Sequence, residues 1–265
     1  MFKGPGSENA PSGPRGRRAY VVGDVHGRLD LLDQLLDAIH VEIDEQQPQN
    51  VLLVFLGDLI DRGPSSAGVI ERLRTYSRPH VQPIFILGNH EEVLLRILVG
   101  DAALIQKWTW FGGAQCLESY GVDPEFLKEA AGPVALDRVR SAIPVEHVQF
   151  LRTFSDTCRF GDYLFVHAGI RPDVALDEQR QSDLRWIREP FLSDTRDHGQ
   201  LIVHGHTPLM TAQAEVLPNR VNIDTGAVFG GPLTAAVFDE EKVGPIALIT
   251  DDGTIQPYPP ILRRS

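Results

Sequence analysis

Short apolar runs of strand length recur along the chain, and the early ones alternate with segments of helical period. The runs lie at residues 19–22, 51–56, 84–87, 163–166, 201–203, 221–223 and 233–238. Their continuous apolar character is typical of strands that are buried on both faces. The first intervening segment carries an apolar stripe of helical spacing, formed by Leu32, Leu35, Leu36, Ile39 and Ile43. This alternation predicts an α/β fold, and the closely spaced later strands predict a second, partly antiparallel sheet.

Each of the first five runs ends in candidate metal ligands. The five endings are GDVHG (23–27), GDLIDRG (57–63), GNHE (88–91), HAG (167–169) and HGH (204–206). Ligands of α/β proteins gather at the carboxyl ends of the strands, so we expect these side chains to converge. A single Asp-x-His after a strand is a weak signal, because a capping carboxylate and a surface histidine explain it equally well. Five such endings in order are hard to explain by structure alone.

The residue types in these endings suit a site for two metal ions. A carboxylate such as Asp58 has two oxygens and can bridge two cations. Mixed carboxylate, amide and imidazole ligands favour metals such as Mn, Fe or Zn, and the chain has no CxxC motif for structural zinc. In hydrolases two such ions lie about 3.5–4 Å apart, bind phosphoryl oxygens and lower the pKa of a bridging water.

Composition argues against two classes of partner. Asp and Glu number 36 against 25 Lys and Arg, and the net charge of −11 disfavours a protein that binds nucleic acid by neutralising phosphates. No apolar run approaches the roughly 20 residues of a membrane-spanning helix. We therefore expect neither nucleic acid nor a membrane as a partner. The first residues lack the apolar stretch of a secretory signal, which predicts a cytoplasmic location.

The predicted domain organisation is simple. Residues 1–18 are rich in Gly, Pro, Ser and Arg, and we expect a disordered N-terminal lead there. Residues 19–265 predict a single domain, with a largely helical insertion around residues 100–160. Trp108, Trp110 and Phe111 lie close together in that insertion, and core packing is the ordinary explanation for each of them. The oligomeric state is left open.

The combined motifs resemble those of the phosphoprotein phosphatase branch of the calcineurin-like metallophosphoesterases. The matching segments are GDVHG (23–27), GDLIDRG (57–63), GNHE (88–91), VHAG (166–169) and GHTP (205–208). Together with GHTP, WIRE (186–189) and IDTGAVFGG (223–231) particularly resemble the small serine/threonine protein phosphatases of bacteria and bacteriophage lambda. The resemblance covers residues 19 to about 239. It implies an α/β fold of two central mixed β-sheets flanked by helices.

The resemblance also implies a role for each matching residue. The residues that match metal ligands are Asp24, His26 and Asp58 for one ion, with Asp58 bridging, and Asn89, His167 and His206 for the other. His90 matches the general acid, and Asp61 matches the carboxylate that orients this histidine. Arg62 and Arg188 match the arginines that clamp the phosphate.

These roles imply a metal-dependent phosphomonoester hydrolase, most simply a serine/threonine protein phosphatase. Its substrate is a phosphoprotein or phosphopeptide, and the nucleophile is a water that bridges the two metals, so no phosphoenzyme forms. The cofactors implied are two divalent ions. Mn is the first candidate, and Fe, Zn, Co or Ni share the same ligand preferences.

Two alternatives stay open. The segments GDLIDRGPSS (57–66) and HAGI (167–170) also resemble motifs of the symmetrical dinucleoside tetraphosphate hydrolases. The aromatic residues at 108, 110 and 111 offer a stacking surface for a base. Asp61 favours a phosphatase instead, because the resembling hydrolases tend to lack a carboxylate beside the acid. A non-enzymatic, metal-stabilised module is disfavoured, because every matched ligand and the acid are present.

Four residues depart from the family pattern or lie beside it. Leu87 stands where many relatives have a third clamping arginine, and Arg171 is a candidate replacement, although a surface arginine is the ordinary explanation. His204 points to the same side of its strand as His206, two residues on, and we expect it to support the site or merely to pack. Asp224 either braces the site or forms a turn.

Overall fold

The computed structural model describes residues 13, 14, 16–130, 132–239, 244–259 and 261. Its strands are β1 (Arg17–Val22), β2 (Asn50–Phe55), β3 (Val81–Phe85), β4 (Thr157–Phe160), β5 (Tyr163–Val166), β6 (Leu201–His204), β7 (Glu215–Val216), β8 (Arg220–Asn222), β9 (Thr234–Phe238), β10 (Ala247–Thr250) and β11 (Ile255–Pro257). Its α-helices are α1 (Leu29–Gln46), α2 (Ser66–Arg74), α3 (Asn89–Val99), α4 (Leu104–Trp108), α5 (Ala114–Ser119), α6 (Pro124–Glu129), α7 (Gly132–Ala142), α8 (Val145–Leu151) and α9 (Gln181–Trp186). None of the helices in the described ranges has the length and apolar character that crossing a bilayer requires.

The strands form two mixed sheets. One sheet has the order β11-β10-β9-β1-β2-β3, and the other has the order β4-β5-β6-β8-β7. β1, β2 and β3 run parallel, whereas β9 pairs antiparallel with β1. In the second sheet β5, β6 and β8 run parallel and β4 is antiparallel to β5. The predicted α/β fold with two mixed sheets flanked by helices is confirmed.

Burial on both faces explains the continuous apolar runs. In β1, Tyr20 and Val22 pack with the helices, including Leu36 of α1. Val21, between them, belongs to a second core cluster that includes Phe165 of the facing sheet. Successive side chains of a strand point to opposite faces, so a strand buried on both sides needs apolar residues at every position.

Some element boundaries differ from the prediction. β1 begins at Arg17 rather than at residue 19, because its pairing with β2 extends to Arg17, opposite Asn50. The side chain of Arg18 also donates to the carboxylate of Glu42 on α1 at 2.8 Å. Residues 17 and 18 are therefore not part of a disordered lead, and residues 1–12 and 15 lie outside the described residues. β3 ends at Phe85, before the predicted end at 87, and Ile86 forms only an isolated bridge with Ser155.

The segment predicted as a helical insertion holds α4 to α8, and a kinked turn at 109–113 separates α4 from α5 and contacts the loop that carries Arg62. Gly112 has φ of 111°, and its carbonyl accepts a hydrogen bond of 2.9 Å from the backbone N–H of Arg62. Core packing is correct for Trp108, which is 2% exposed. The prediction of core packing is wrong for Trp110 and Phe111, which are 91% and 56% exposed. The kink turns these two side chains outwards.

Candidate metal centre and active site

The loops that follow the central strands hold several site residues in a left-handed backbone conformation. The φ values are 45° at His26, 50° at Asp58, 72° at Asp61, 67° at Arg62 and 65° at His206. Each such conformation costs a non-glycine residue about 1–3 kcal/mol and persists only where surrounding contacts enforce it. Strain of this kind concentrates at functional sites, which points to these loops as the working part of the molecule.

Asp58 lies at the centre of a buried cluster of histidines. Its Oδ1 is 3.4 Å from Nε2 of His167, and its Oδ2 lies 3.7 Å from Nε2 of His26 and 3.8 Å from Nε2 of His90. Burial alone would raise the pKa of Asp58, but the histidines, His167 first, hold this pKa well below its usual range. Asp58 is therefore an anion that faces ring nitrogens on two sides.

Two groups of candidate metal ligands share Asp58. One group contains Asp58, His26 and His90, and the other contains Asp58, His167 and His206. Within each group the ligand atoms lie within 4.8 Å of one another, and every residue is buried. The structure therefore brings together four of the six residues that the sequence predicts as ligands, with Asp58 between the two groups. His90, which we expect to act as the acid, lies in the first group.

The donor atoms of this cluster fit metal cations. Nδ1 of His26 lies 2.9 Å from the carbonyl of Ile60, and Nδ1 of His167 lies 2.8 Å from the carbonyl of Leu56. A carbonyl only accepts, so each Nδ1 carries the proton and each Nε2 presents a lone pair to the cluster. Burial lowers the pKa of both histidines, which favours these neutral forms.

The second group shows the same lone-pair arrangement. Nε2 of His167 lies 2.9 Å from Oδ1 of Asn89, which places two acceptors face to face. Nε2 of His206 is buried and has no hydrogen-bond partner among the described residues. Burial lowers the pKa of His206 to about 3, so its ring is neutral. Facing acceptors and an unpartnered buried nitrogen are both satisfied by a divalent cation.

Asp24 lies beside the cluster but outside both groups. Both of its carboxylate oxygens accept from the backbone N–H of His206, at 3.1 and 3.2 Å. Burial raises the pKa of Asp24 well above its usual value, and Asp224 and Asp58 raise it further. Burial and Asp58 likewise raise the pKa of Asp224 to about 6. Three buried carboxylates that raise one another's pKa are stabilised as anions by nearby positive charge, such as a bound cation. The role of Asp24 as a ligand stays a prediction.

The predicted acid and its orienting carboxylate are hydrogen-bonded to each other. Nδ1 of His90 lies 2.6 Å from Oδ2 of Asp61. Burial opposes a charge on His90, but Asp58 and Asp61 outweigh it and raise the pKa of this histidine. The indole N–H of Trp108 donates to the same oxygen of Asp61 at 2.8 Å. The contact from Trp108 is absent from the sequence prediction, because only the folded insertion brings this indole to the carboxylate.

Glu91 is a second residue whose role the sequence analysis missed. Its buried carboxylate accepts from the backbone N–H groups of Asp58, Leu59, Ile60 and Gly88, at 2.9, 2.8, 3.2 and 3.1 Å. Burial, with Asp58 second, raises the pKa of Glu91 to about 7. The side chain ties the loop that carries Asp58 to the start of α3. Its position in the GNHE motif is the one signal that the sequence offered.

A cavity of about 360 Å³ opens beside the cluster. Asn89, His90 and His206 line it together with both predicted clamping arginines, Arg62 and Arg188. Its other lining residues are Val93, Arg96, Leu104, Lys107, Trp108, Phe111 and Trp186. Arg62 donates from NH1 to Nε2 of His26 at 2.6 Å, and its guanidinium carbon lies 5.6 Å from the ring centroid of Phe229. The cavity thus joins candidate metal ligands to cationic and aromatic side chains.

Comparison with known proteins identifies the class to which this site belongs. The sequence pattern of the calcineurin-like phosphoesterases matches residues 17–242. The chain belongs to the calcineurin-like phosphoesterase family. Members are phosphoester hydrolases that use a divalent metal centre, so the prediction of a metal-dependent phosphoesterase enzyme is confirmed at this level.

Relatives of this phosphoesterase carry two kinds of name. The chain is 28% identical over 237 residues to the asymmetrical bis(5'-nucleosyl)-tetraphosphatase PrpE of Halalkalibacterium halodurans, a match covering 83% of this chain and 89% of the relative. It is 31% identical over 231 residues to serine/threonine-protein phosphatase 1 of Salmonella typhimurium, covering 83% and 91%. A solved structure described provisionally as a diadenosine tetraphosphatase superposes with a TM-score of 0.61 at 22% identity, covering 91% of this chain and 98% of that one.

The residues that depart from the phosphoesterase pattern lie away from the cavity. Leu87 is buried, and its N–H donates to the carbonyl of Ser155. Arg171 forms a two-pronged pair with Asp183 at 2.7 and 3.0 Å, so it does not replace the missing clamp. His204 belongs to neither ligand group. Its ring packs at 5.1 Å on Phe191, which favours a packed role.

Proposed function

We propose that this phosphoesterase hydrolyses a bis(5'-nucleosyl) tetraphosphate. One observation carries the proposal: three cationic side chains without a direct carboxylate partner among the described residues, Arg62, Lys107 and Arg188, line the same cavity as the candidate metal ligands. The chain as a whole has a net charge of −11, so this concentration of positive charge is local. A substrate with several phosphates matches it better than a single phosphoryl group does. The name of the relative from Halalkalibacterium supports the same substrate class.

The side chains of the cavity have separate roles in the proposed reaction. Two divalent ions, of which Mn²⁺ is the first candidate, supply Lewis-acid charge and lower the pKa of water when bound. Arg62 and Arg188 hold the non-bridging oxygens of the phosphoryl group, because planar guanidinium groups bind oxyanions in two-pronged fashion. His90 donates a proton from Nε2 to the leaving oxygen, since its Nδ1 is held by Asp61.

A serine/threonine protein phosphatase is the second candidate. The hydrogen bond between His90 and Asp61 favours it, because an alkoxide leaving from Ser or Thr is strongly basic and needs a proton from a well-oriented acid. A nucleoside triphosphate leaves as a much weaker base and depends less on such an acid. The relative from Salmonella carries the name of this activity. Its substrate would be a phosphoprotein, as the sequence resemblance implies.

One experiment separates the candidates. Metal-stripped protein receives Mn²⁺ and is given diadenosine tetraphosphate or a phosphothreonine peptide, and the products are separated by ion-exchange chromatography. We expect ATP and AMP from the dinucleotide, in line with the asymmetrical relatives. Two molecules of ADP would mean symmetrical cleavage, and phosphate released from the peptide alone would establish the protein phosphatase. The Asp58→Asn variant, prepared identically, controls for contaminating hydrolases.

A further inference from the structure

The cavity continues well beyond the candidate metal ligands. Asn89, Val93 and Arg96 lie on one face of α3, and all three line the cavity. The last lies seven positions along the α-helix from the first, which corresponds to about 10 Å along the helix axis. A phosphoryl group at Asn89 and His90 therefore leaves a long stretch of cavity for the rest of the substrate.

The far stretch of the cavity, which lies beyond Asn89 and His90, contains an unpaired cation and exposed aromatic rings. Lys107 of α4 is exposed and makes no ion pair within the described part of the chain, whereas Arg96 is paired with Asp101 at 2.7 Å. Nζ of Lys107 lies 5.7 Å from the ring centroid of Phe111, which is 56% exposed. Large aromatic side chains exposed beside a cavity are typical of ligand-binding surfaces.

Trp186 adds a second aromatic surface to the same cavity. Its indole N–H donates to Oε2 of Glu92 at 2.9 Å, which fixes the orientation of the ring. The side chain is 44% exposed and comes from α9, whereas Lys107 comes from α4. Leu104 and Val93 supply apolar surface between these groups. A flat, apolar group with a nearby negative charge fits this combination.

We infer that Arg96, Leu104, Lys107, Phe111 and Trp186 form an outer subsite that binds the nucleoside end of a nucleotide and its distal phosphates. The base stacks on the ring of Phe111 or Trp186, and the ammonium of Lys107 pairs with a phosphate that is not being cleaved. This inference rests on the proposed function and specifies which residues recognise the substrate. The side chain of a phosphopeptide residue would use the cation but has no general need for the ring faces.

The test compares two ligands that share phosphates and differ in the nucleoside. Inhibition of p-nitrophenyl phosphate hydrolysis by ATP and by inorganic tripolyphosphate is measured as initial rates at a fixed concentration of free Mn²⁺. The variants are Phe111→Ala, Trp186→Ala and Lys107→Met. Phe126→Ala and Arg152→Met serve as matched controls, because residues 126 and 152 are exposed and lie outside the cavity. Circular dichroism establishes that each variant is folded.

The expected results separate stacking from charge. Phe111→Ala raises the inhibition constant of ATP at least about fivefold, which is the lower end of what the loss of one base–aromatic stack costs. The inhibition constant of tripolyphosphate rises much less. Lys107→Met raises the inhibition constants of both ligands by a similar factor. The inference is overturned if ATP and tripolyphosphate inhibit the wild type equally, or if Phe111→Ala and Trp186→Ala both leave the ratio of the two inhibition constants unchanged.

These outcomes are independent of the proposed function. If diadenosine tetraphosphate is not hydrolysed but ATP inhibits through residues 107 and 111, the proposed reaction is wrong and the subsite stands. If the dinucleotide is hydrolysed and the variants do not discriminate, the reaction stands and the subsite is wrong. Inhibition by a phosphopeptide, but not by ATP, would assign the far stretch of the cavity to a polypeptide.

Discussion

The two walls of the cavity differ in how the chain builds them. The metal-site wall comes from the strand-end loops at 57–63, 88–91 and 204–206, which contribute Arg62, Asn89, His90 and His206 to the cavity. Apart from the half-buried Arg62, the residues of these loops are buried, and the carboxylates of Glu91 and Asp24 accept hydrogen bonds from their backbone. The insertion wall comes from 104–113, which is short, kinked at Gly112 and exposes two aromatic side chains. The candidate metal ligands and three residues of the proposed outer subsite, Leu104, Lys107 and Phe111, therefore come from separate segments of the chain.

Trp108 connects the two walls. It belongs to the insertion wall, yet its indole N–H reaches Asp61 in the metal-site wall, and its ring packs against the backbone of Gly113. Asp61 accepts from both His90 and Trp108 through one oxygen. The insertion therefore contributes to the orientation of the predicted acid as well as to the cavity. Substitutions in each wall test how far the two roles are separate.

The largest effect is expected at Asp58. Asp58→Asn removes the anion that both ligand groups share, and we expect metal content to fall and kcat/KM to drop more than about a hundredfold on every phosphoester. Substitution of a residue that only hydrogen-bonds to a metal ligand typically lowers metal affinity or activity by 10- to 100-fold, so loss of a ligand itself is expected to cost at least as much. Metal content is measured by mass spectrometry and rates with p-nitrophenyl phosphate. Asp30→Asn, an exposed change on α1, is the control. Unchanged metal content would remove Asp58 from its bridging position.

His90→Asn is expected to affect turnover according to the leaving group. Loss of a general acid costs typically 10²- to 10⁴-fold, so we expect kcat for a phosphothreonine peptide to fall by about that range. For p-nitrophenyl phosphate, whose leaving group is a weak base, the loss is smaller, and metal content is retained. Equal losses on both substrates together with lost metal would show that His90 acts as a ligand of the first group rather than as the acid.

The metal-site wall could be predicted from sequence because its chemistry lies in short, contiguous motifs. Parallel strands end at the same edge of a sheet, so His167 and His206, which follow β5 and β6, are expected to lie close together. Asp58 follows β2 of the other sheet, and it reaches them because the two sheets pack together with their strand ends on the same side. Glu91 escaped prediction because a buried carboxylate that binds four backbone N–H groups has no distinctive spacing. Asp24 shows a contact that its motif does not reveal: its oxygens accept from the N–H of His206, and its role as a ligand stays a prediction.

The insertion wall could not be predicted because its position depends on one backbone kink. Trp108 and Trp110 lie two residues apart, and nothing in the sequence distinguishes the buried ring from the exposed one. Gly112 sets the direction of the turn through its φ of 111°, and the contact that fixes it is to Arg62, fifty residues away. Long-range contacts of this kind leave no local pattern for periodicity or propensity to detect.

Trp108→Phe removes a single hydrogen bond between the two walls. The ring stays in its pocket while the N–H that donates to Asp61 is lost. We expect kcat for a substrate with a basic leaving group to fall roughly tenfold, as for other residues that orient a catalytic group, and KM to change little. The pH dependence of kcat is recorded beside it. Phe154→Leu, at a partly buried ring remote from the cavity, controls for loss of packing. A change confined to KM would limit Trp108 to substrate binding.

The smallest effect is expected at Gly112, where two matched glycines separate strain from contact. Gly112→Ala and Gly121→Ala both place a side chain at positive φ, 111° and 76°, which costs on the order of 1–2 kcal/mol. A Cβ at 121 meets nothing within 4 Å, but one at 112 lies 2.5 Å from Cγ and 2.6 Å from the backbone N of Arg62. We expect Gly112→Ala to lower Tm more than Gly121→Ala, because the backbone of Arg62 must shift to make room for the new Cβ. We expect Gly112→Ala alone to raise KM severalfold, because it displaces Arg62. Equal KM values in the two variants would mean that the insertion wall does not position Arg62, and the two walls would then be independent at this contact.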